Sequence, residues 1–421
     1  MSTTTLVPNS HSQIVTRTTP QLQSSLLQRL SAQRFRAWLQ KLQHGTIALG
    51  DQHAIATTEL FGQGDLTATW QIDSPKFYSH LATGGSLGVA ESWMQGHWQT
   101  DDLTTLLRIL CRNLERMPTG TSAMATVSRW LKRAAFLWHS NTRRASRRHI
   151  AAHYDLSNEF FELFLDRTMM YSSAYFEHPR KSLHDASVAK LDQICGKLDL
   201  RSSDQVLEIG TGWGGFSLHA ATSYGCHITT TTISDAQLQR ARQRVESAGL
   251  ADRVELLNSD YRDLEGQYDK IVSIEMVEAV GERYLDAYFR KCGQLLKPGG
   301  RMVIQAIVMP EQRYDSYRRS VDFIQQYIFP GGFLPSVAAI QNSVGRTSCL
   351  RLQSIEDMAG HYAKTLREWR LNFHEQIDQV QSLGFDDRFI RMWEYYLCYC
   401  EAAFLEQAVK VVQIAWDKPR H

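Results

Sequence analysis

The chain of 421 residues lacks several features that mark specialised classes of protein. It has no run of about 18 consecutive apolar residues, so we expect no transmembrane helix. Its first 20 residues lack the apolar core of a signal peptide, so we expect the protein to stay in the cytoplasm. Its seven cysteines form no CxxC pair, which predicts reduced thiols and no metal site.

Acidic residues are missing from two stretches. None precedes Asp51, and none lies between Glu115 and Asp155, where lysine and arginine cluster from Arg129 to Arg148. Such stretches suit an anionic surface, either lipid headgroups or nucleic acid. The plain alternative is a solvated linker, and the net charge of +2 does not choose between the two.

The length of the chain exceeds what one hydrophobic core usually supports, so we expect two domains. Residues 1–20 are rich in Ser, Thr and Gln and should be mobile. Residues 21–138 are expected to form a smaller α+β domain associated with lipid or membrane. This domain opens with a basic amphipathic helix at 22–42, which either lies on a membrane surface or packs on its own domain. Residues 139–150 are then expected to be a basic linker.

From residue 151 to 421 the pattern alternates between strands and helices. The strand candidates are Val206–Ile209, Ile228–Ile233, Val254–Leu257, Ile271–Ile274 and Met302–Val308, and the helix candidates are Phe216–Tyr224, Ala236–Ala248 and Tyr284–Leu296. This order predicts an α/β fold with a doubly wound, mainly parallel sheet. From Glu311 onward we expect aromatic helices that cover the sheet and its pocket or meet a second subunit.

A glycine-rich turn, "LEIGTGWGG", follows the first of these strands. Gly210, Gly212 and Gly215 satisfy GxGxxG, which could indicate a dinucleotide site. An NAD site would also need an acid at the end of the second strand, and that end reads "TTTTIS". Glu208 before the turn and Asp260 after the third strand instead resemble the S-adenosylmethionine-dependent methyltransferase fold. The glycines would let the backbone approach the methionyl group, and Asp260 could bond the adenine amino group, although Glu208 could also simply cap neighbouring amides.

Seven segments, in order, resemble the cyclopropane-fatty-acyl-phospholipid synthases and related lipid and amine methyltransferases. They are "HYDLSNEFFELFLD", "MMYSSAYF", "LEIGTGWGGF", "TTISDAQ", "DYRDL", "EMVEAVG" and "YIFPGGFLPS". With "GGSLGVAESWMQGHW" upstream, the likeness covers about residues 75–410. It implies a class I methyltransferase fold with helical additions, in which S-adenosylmethionine transfers its methyl group to a cis double bond of a phospholipid acyl chain.

The resemblance also implies which residues contact the methyl donor. With the two acids above, the predicted donor-binding residues are Tyr171, Ser172, Glu208, Gly210, Gly212, Thr232, Gln237, Asp260, Tyr261 and Arg262. Methyl transfer would leave a carbocation on the chain, which aromatic faces can stabilise. Tyr175, Phe176, Phe333 and Tyr362 are the candidates, and residues 327–336 look like a pocket lid.

A base must then remove a proton. In the cyclopropane synthases this base is thought to be bicarbonate, held partly by a cysteine and a histidine. Those two positions here are Ser173 and Gln305. We therefore hypothesise that Glu278 either anchors bicarbonate or is itself the base, oriented by Ser173, Gln305 and Tyr362. The resemblance favours ring closure, and the departures leave open a methyl-branched unsaturated product such as a furan-fatty-acid precursor.

Two other function classes remain as alternatives. One is a small-molecule N-methyltransferase, and the other is a non-enzymatic lipid- or nucleic-acid-binding protein. The favoured interpretation is an enzyme peripheral to the inner membrane surface, with unsaturated phospholipids as partners and no nucleic acid. A homodimer is left open.

Overall fold

The computed structural model describes residues 25–51, 55–113 and 156–421. The predicted mobile segment at 1–20, the basic linker at 139–150 and the basic cluster from Arg129 to Arg148 lie outside these residues. No helix in the described ranges is long and apolar enough to cross a membrane.

The N-terminal part is the small α+β unit that was predicted. Its described strands are β1 (Gly45–Asp51), β2 (Ile55–Gln63), β3 (Thr67–Ile72) and β4 (Trp98–Gln99), and they form a sheet in the order β2-β1-β3-β4. Its described helices are α1 (Leu26–Leu39), α2 (Lys76–Gly84), α3 (Ser86–Met94) and α4 (Leu103–Arg112).

Helix α1 divides its apolar residues between two environments. Phe35, Trp38 and Leu39 are buried against the N-terminal sheet, whereas Leu26 and Leu30 are 77% and 47% exposed. Ser25 caps the helix by accepting a hydrogen bond from the backbone N–H of Gln28 at 3.3 Å. The C-terminal half of the helix therefore packs on its own domain, and its N-terminal half leaves leucines on the surface.

The larger sheet has seven strands within residues 156–421. They are β5 (Gln205–Ile209), β6 (His227–Thr232), β7 (Val254–Asn258), β8 (Tyr268–Ile274), β9 (Leu296–Val308), β10 (Arg351–Asp357) and β11 (Lys410–Asp417), in the order β10-β11-β9-β8-β5-β6-β7. The strands β5 to β9 are parallel, and β11 runs antiparallel to β9.

Helices cover both faces of this sheet and one of its ends. They are α5 (Asn158–Glu162), α6 (Leu183–Leu198), α7 (Gly215–Tyr224), α8 (Asp235–Ser247), α9 (Leu285–Leu295), α10 (Glu311–Tyr317), α11 (Val337–Thr347), α12 (Ala359–Glu375), α13 (Ile377–Ser382) and α14 (Asp387–Leu405). The doubly wound sheet and every strand predicted for it are confirmed. The expectation of helices alone after Glu311 is wrong, because β10 and β11 extend the sheet there.

One hydrophobic core joins the two parts of the chain. Trp70 and Leu106 of the N-terminal unit belong to the same buried cluster as Trp369 on α12 and Trp393 on α14. Buried polar groups add to this junction, since Thr104 on α4 donates a hydrogen bond to Glu401 on α14 at 3.1 Å. The N-terminal unit is thereby fixed against the helices that wall the main cavity.

Candidate active site

The main cavity, of about 1340 Å³, lies at the carboxyl ends of the parallel strands and extends toward the N-terminal unit. This edge is where ligands bind in open α/β sheets. Leu107 and Leu110 of α4 line one part of the cavity, and the turn after β5 lines another. Its volume exceeds the roughly 300–1,000 Å³ of a typical small-molecule pocket, so it has room for more than one ligand.

The glycine turn gives the cavity an open backbone surface. Gly210 has φ +107° and Gly212 has φ +51°, backbone conformations that residues with a side chain rarely adopt. A Cβ on Gly212 would meet nothing within 4 Å, whereas a Cβ on Gly210 would lie 3.1 Å from Met276 Cγ. The free space beside Gly212 is where the methionyl group of S-adenosylmethionine would approach the backbone.

All ten residues predicted to bind the methyl donor line this one cavity. Two of them form a local pair at the start of α8, where Thr232 Oγ1 donates to Gln237 Oε1 at 3.1 Å. Ser234 accepts the backbone N–H of Gln237 at 3.3 Å and so caps the helix. The residues therefore fit the expected ligand, and their contacts with it remain a prediction.

The two predicted acids already have protein partners. Asp260 accepts hydrogen bonds from Arg262 Nε and Nη2, both at 2.7 Å, and from the Arg262 backbone N–H at 3.0 Å. Glu208 is buried, accepts hydrogen bonds from Ser217 and Thr230, and has a pKa raised to about 7 by that burial. Glu208 thus lies at the wall of the cavity with its carboxyl group already bonded.

The residues expected to orient Glu278 converge on a different carboxylate, that of Glu275. Ser173 N–H and Gln305 Nε2 donate to Glu275 Oε1 at 2.9 and 2.7 Å, and Tyr362 Oη donates to Oε2 at 2.8 Å. Glu278 instead accepts the backbone N–H of Ile307, and its Oε2 is buried without a hydrogen-bond partner in the described chain. Glu278 as the centre of this group is therefore corrected to Glu275, which the sequence analysis did not consider.

Strand β11 holds Gln305 in the required orientation. Gln413 lies opposite Gln305 in the β9–β11 ladder and donates from Nε2 to Gln305 Oε1 at 3.0 Å. That bond leaves Gln305 Nε2 to face Glu275. Neither Gln305 nor Ser173 lines the cavity, and the Ser173 hydroxyl donates to the Ala174 carbonyl at 3.0 Å. Of the donors predicted to hold bicarbonate, the Gln305 amide and the Tyr362 hydroxyl are therefore already bonded to the Glu275 carboxylate, and the Ser173 hydroxyl is bonded to a backbone carbonyl.

Three comparisons bear on this arrangement. The family model described as mycolic acid cyclopropane synthetase matches residues 141–414, more than half of the chain. The chain belongs to this family. It is 40% identical over 367 residues to the tuberculostearic acid methyltransferase UfaA1 of Mycobacterium tuberculosis, and the alignment covers 83% of this chain and 85% of that protein. It is 32% identical over 358 residues to the cyclopropane-fatty-acyl-phospholipid synthase of Escherichia coli K12, covering 84% of this chain and 89% of that protein.

A solved structure of the mycolic acid cyclopropane synthase CmaA1, complexed with SAH and CTAB, superposes with a TM-score of 0.60. The identity is 30%, and the match covers 65% of this chain and 98% of that chain. The class I methyltransferase fold is thus confirmed, and S-adenosylmethionine is the methyl donor. As a member of the mycolic acid cyclopropane synthetase family, the chain is an enzyme that methylates acyl chains of lipids. The NAD site and the non-enzymatic binding protein are both wrong.

In this family member the backbone of Glu275 is strained. Its φ of +49° lies in the left-handed region, which costs a residue with a side chain about 1 kcal/mol or more. The Glu275 N–H donates to the Gln305 carbonyl at 2.7 Å and helps to hold this conformation. Strain of this kind clusters at functional sites, and here it directs the carboxylate toward its three donors.

The two glutamates of this site differ in the contacts that act on their pKa values. Burial raises the pKa of both, and Glu275 raises that of Glu278 further, to about 8. Gln305, Ser173, Tyr362 and Lys190 counteract the effect of burial on the pKa of Glu275. Three donors favour the charged form of Glu275, whereas burial and the neighbouring carboxylate favour the neutral form of Glu278, which has a single donor. Of the two, Glu275 is the carboxyl group that its surroundings favour in the charged form.

Aromatic side chains surround the middle of the cavity. Phe333 and Tyr362 line it as predicted, but Tyr175 and Phe176 do not. The Tyr175 ring packs at a tilt against the His361 ring, with their centroids 4.5 Å apart, and Phe176 lies under the Lys364 ammonium. Tyr171, predicted to contact the methyl donor, and Phe329, within the predicted lid, also line the cavity, and so does Tyr396, which was not predicted. The hydroxyl groups of Tyr171 and Tyr396 are joined by a 2.8 Å hydrogen bond.

Proposed function

We propose that the enzyme methylates the cis double bond of an unsaturated phospholipid acyl chain and forms a methyl-branched unsaturated chain, with Glu275 as the base. The observation that carries this proposal is the Glu275 carboxylate, which accepts the hydrogen bonds of Ser173, Gln305 and Tyr362. A built-in carboxylate makes bound bicarbonate unnecessary. It therefore removes the main reason to expect the cyclopropane outcome of a bicarbonate-dependent synthase.

When bound, S-adenosylmethionine would supply its methyl group to one alkene carbon, as the bond from that methyl group to sulfur breaks and S-adenosylhomocysteine leaves. The faces of Tyr171, Phe329 and Tyr396 stabilise the positive charge that develops on the other carbon. Glu275 then takes a proton from a chain carbon next to the cation, and the electrons of that C–H bond form the new double bond. Glu278, held neutral, adds no second negative charge to the site.

Ring closure is the second candidate, in which the proton leaves the newly added methyl group. The 32%-identical relative is named for a cyclopropane product, whereas the 40%-identical relative is named for methyl transfer alone. The replacement of the family's cysteine and histidine by Ser173 and Gln305 also supports a product other than the ring. We therefore rank the branched chain first.

The mouth of the cavity supports a phospholipid as the substrate. Arg313 and Arg319 line it together with Ser316 and Ser320. Arg313 Nη1 donates to the Ala408 carbonyl at 2.8 Å, and the Arg319 side chain has no partner within the described ranges. Since Arg is well suited to phosphate, we propose that these two residues bind the lipid phosphate while the acyl chain enters the apolar interior.

The exposed part of α1 supports docking on a membrane. Leu26, Leu27 and Leu30 are 77%, 45% and 47% exposed beside Arg29 and Arg34. Apolar residues flanked by basic ones are typical of interfacial helices on anionic lipid. We propose that this end of α1 contacts the inner membrane surface. Sedimentation with anionic vesicles should fall for a Leu26→Ser/Leu27→Ser/Leu30→Ser variant and not for a control Leu371→Ser/Leu383→Ser variant.

A transfer assay tests the proposed function. The purified protein is incubated with methyl-labelled S-adenosylmethionine and vesicles of dioleoyl phosphatidylglycerol, and we expect the label in the acyl chains. The double variant Arg313→Gln/Arg319→Gln should raise the KM for this lipid by about tenfold, roughly 1.4 kcal/mol. The control is Arg318→Gln, because Arg318 already pairs with Glu282 at 3.3 Å. The absence of label from lipid, or its entry only into small amines, would overturn the proposal.

A further inference from the structure

Lys190 is a buried cation beside the active site. It lies on α6, is 0% exposed, and donates a hydrogen bond to Ser172 Oγ at 2.8 Å. Burying a charged ammonium is costly unless it is compensated. Its pKa is lowered to about 8 by burial, so it still carries its charge at neutral pH. A charge kept in the interior at such cost is a candidate for a role in the site.

The hydrogen bond to Lys190 fixes the polarity of the Ser172 hydroxyl. An ammonium group can only donate, so Ser172 Oγ is the acceptor in this contact. The hydroxyl hydrogen of Ser172 is then available to donate elsewhere. Because Ser172 lines the cavity and Lys190 does not, that donor can serve an anionic group of a ligand in the cavity.

Lys190 also compensates the carboxylates around it. Glu275, Asp166 and Glu208 all favour its charged form, and Lys190 in turn lowers the pKa of Glu275 and Glu208, which burial raises. The groups that face Glu275 are Ser173 N–H, Gln305 from β9, Tyr362 from α12, Tyr396 from α14, the neutral Glu278 and Lys190. Lys190 is the cation in this set.

We propose that Lys190 is a positioning residue for both ends of the methyl-transfer site. Through Ser172 it directs a donor at the methionyl carboxylate of the methyl donor, and through the same hydrogen bond it holds the segment whose next residue, Ser173, donates its N–H to Glu275. The second part rests on the proposed role of Glu275 as the base. The first part concerns ligand binding alone and is independent of which product the enzyme forms.

Two ligands separate the binding role from a merely structural one. S-adenosylhomocysteine has the methionyl carboxylate, whereas 5′-methylthioadenosine keeps the adenosine and the sulfur but lacks it. Titration calorimetry of Lys190→Met should show S-adenosylhomocysteine bound at least tenfold more weakly and 5′-methylthioadenosine within about twofold of the unmodified protein. The control is Lys181→Met just before the same helix, whose ammonium pairs with Glu177 and which should change neither affinity.

The pH profile of methyl transfer tests the second part. The Ser173 N–H and the Lys190 charge both favour the charged form of Glu275, so loosening the first and removing the second should move the acid limb of the profile to higher pH in Lys190→Met. Equal loss of both ligands, or unchanged binding with an unshifted limb, would overturn the proposal. If Lys190→Met does not fold, Ser172→Ala decides, since unaltered affinity for S-adenosylhomocysteine in that variant would also overturn it. Failure of the proposed function looks different, because the unmodified protein would then put no label into lipid while the ligand selectivity persists.

Discussion

Replacing Glu275 with glutamine removes the base and keeps most of the local structure. Both Ser173 N–H and Gln305 Nε2 donate to the same atom, Oε1, at 2.9 and 2.7 Å. A glutamine oxygen at that position accepts both hydrogen bonds. The amide nitrogen of the glutamine then takes the place of Oε2 and donates to Tyr362 Oη. The hydroxyl hydrogen of Tyr362 rotates to point away from this nitrogen. We therefore expect the free energy of unfolding to change by only about 1 kcal/mol.

The catalytic effect of Glu275→Gln should be much larger. A positioned general base contributes about 10²–10⁴-fold to the rate, so kcat should fall by about a thousandfold, or roughly 4 kcal/mol of transition-state stabilisation. The assay follows labelled methyl from saturating S-adenosylmethionine into vesicle lipid. Calorimetry with S-adenosylhomocysteine checks that the methyl-donor site is intact, and thermal melting checks the fold.

Glu278→Gln is the matched control, because Glu278 is already neutral at pH 7 and a neutral amide replaces a neutral acid. Its kcat should stay within about threefold of the unmodified enzyme, a change of less than 1 kcal/mol. The reasoning is refuted if Glu275→Gln keeps near-normal turnover, or if Glu278→Gln shows the thousandfold loss instead.

Three further predictions follow from the same geometry. Glu275→Gly relieves the strain at φ +49° and leaves the donors of Ser173, Gln305 and Tyr362 without the carboxylate. Added bicarbonate should therefore restore part of the variant's activity in a dose-dependent way. The absence of rescue would count against Glu275 as the base. Gly212→Val places a side chain at φ +51° in the space beside the turn, so affinity for S-adenosylhomocysteine measured by calorimetry should fall at least tenfold, roughly 1.4 kcal/mol; an unchanged affinity would contradict the proposed ligand position. The pKa of Glu278 is raised from 4.5 to about 8 by folding, so the neutral form is the stable one in the native state, and ionisation destabilises the fold as pH rises through this interval. The difference in melting temperature between Glu278→Gln and the unmodified protein should therefore move in favour of the variant as pH rises from 5 to about 8.5. A difference that moves in favour of the unmodified protein over this range would contradict the raised pKa.

The doubly wound sheet could be predicted because its strands carry apolar runs separated by helical periodicity. The run at 206–209 and the long run ending at Val308 are buried on both faces, which leaves a clear pattern. The strands β10 and β11 could not be predicted in the same way. Strand β10 is an exposed edge strand and therefore carries no buried apolar run. Strand β11 comes directly after the aromatic helix α14, so the short apolar run at the centre of β11 shows no strand periodicity that separates it from the helix.

The donor-binding residues could be predicted because they belong to contiguous motifs, each fixed to one strand end. The base could not be chosen by the same route, since "EMVEAVG" offers two carboxylates three residues apart and the resemblance points to the second. What decides between them is the left-handed backbone of Glu275 and the amide of Gln305, which Gln413 orients from β11. These contacts join Glu275 to Gln305, 30 positions away, and Gln305 to Gln413, 108 positions away, and no local pattern encodes them.

The most direct test of the central claim is proton NMR of the lipid product formed from a monounsaturated phospholipid and S-adenosylmethionine. With Glu275 as a built-in base that takes a proton from the chain, the purified methylated lipid should keep a vinyl signal and show no upfield ring-proton resonances. Upfield ring protons with loss of the vinyl signal would show that the enzyme closes a cyclopropane, and would contradict the branched product proposed for this site.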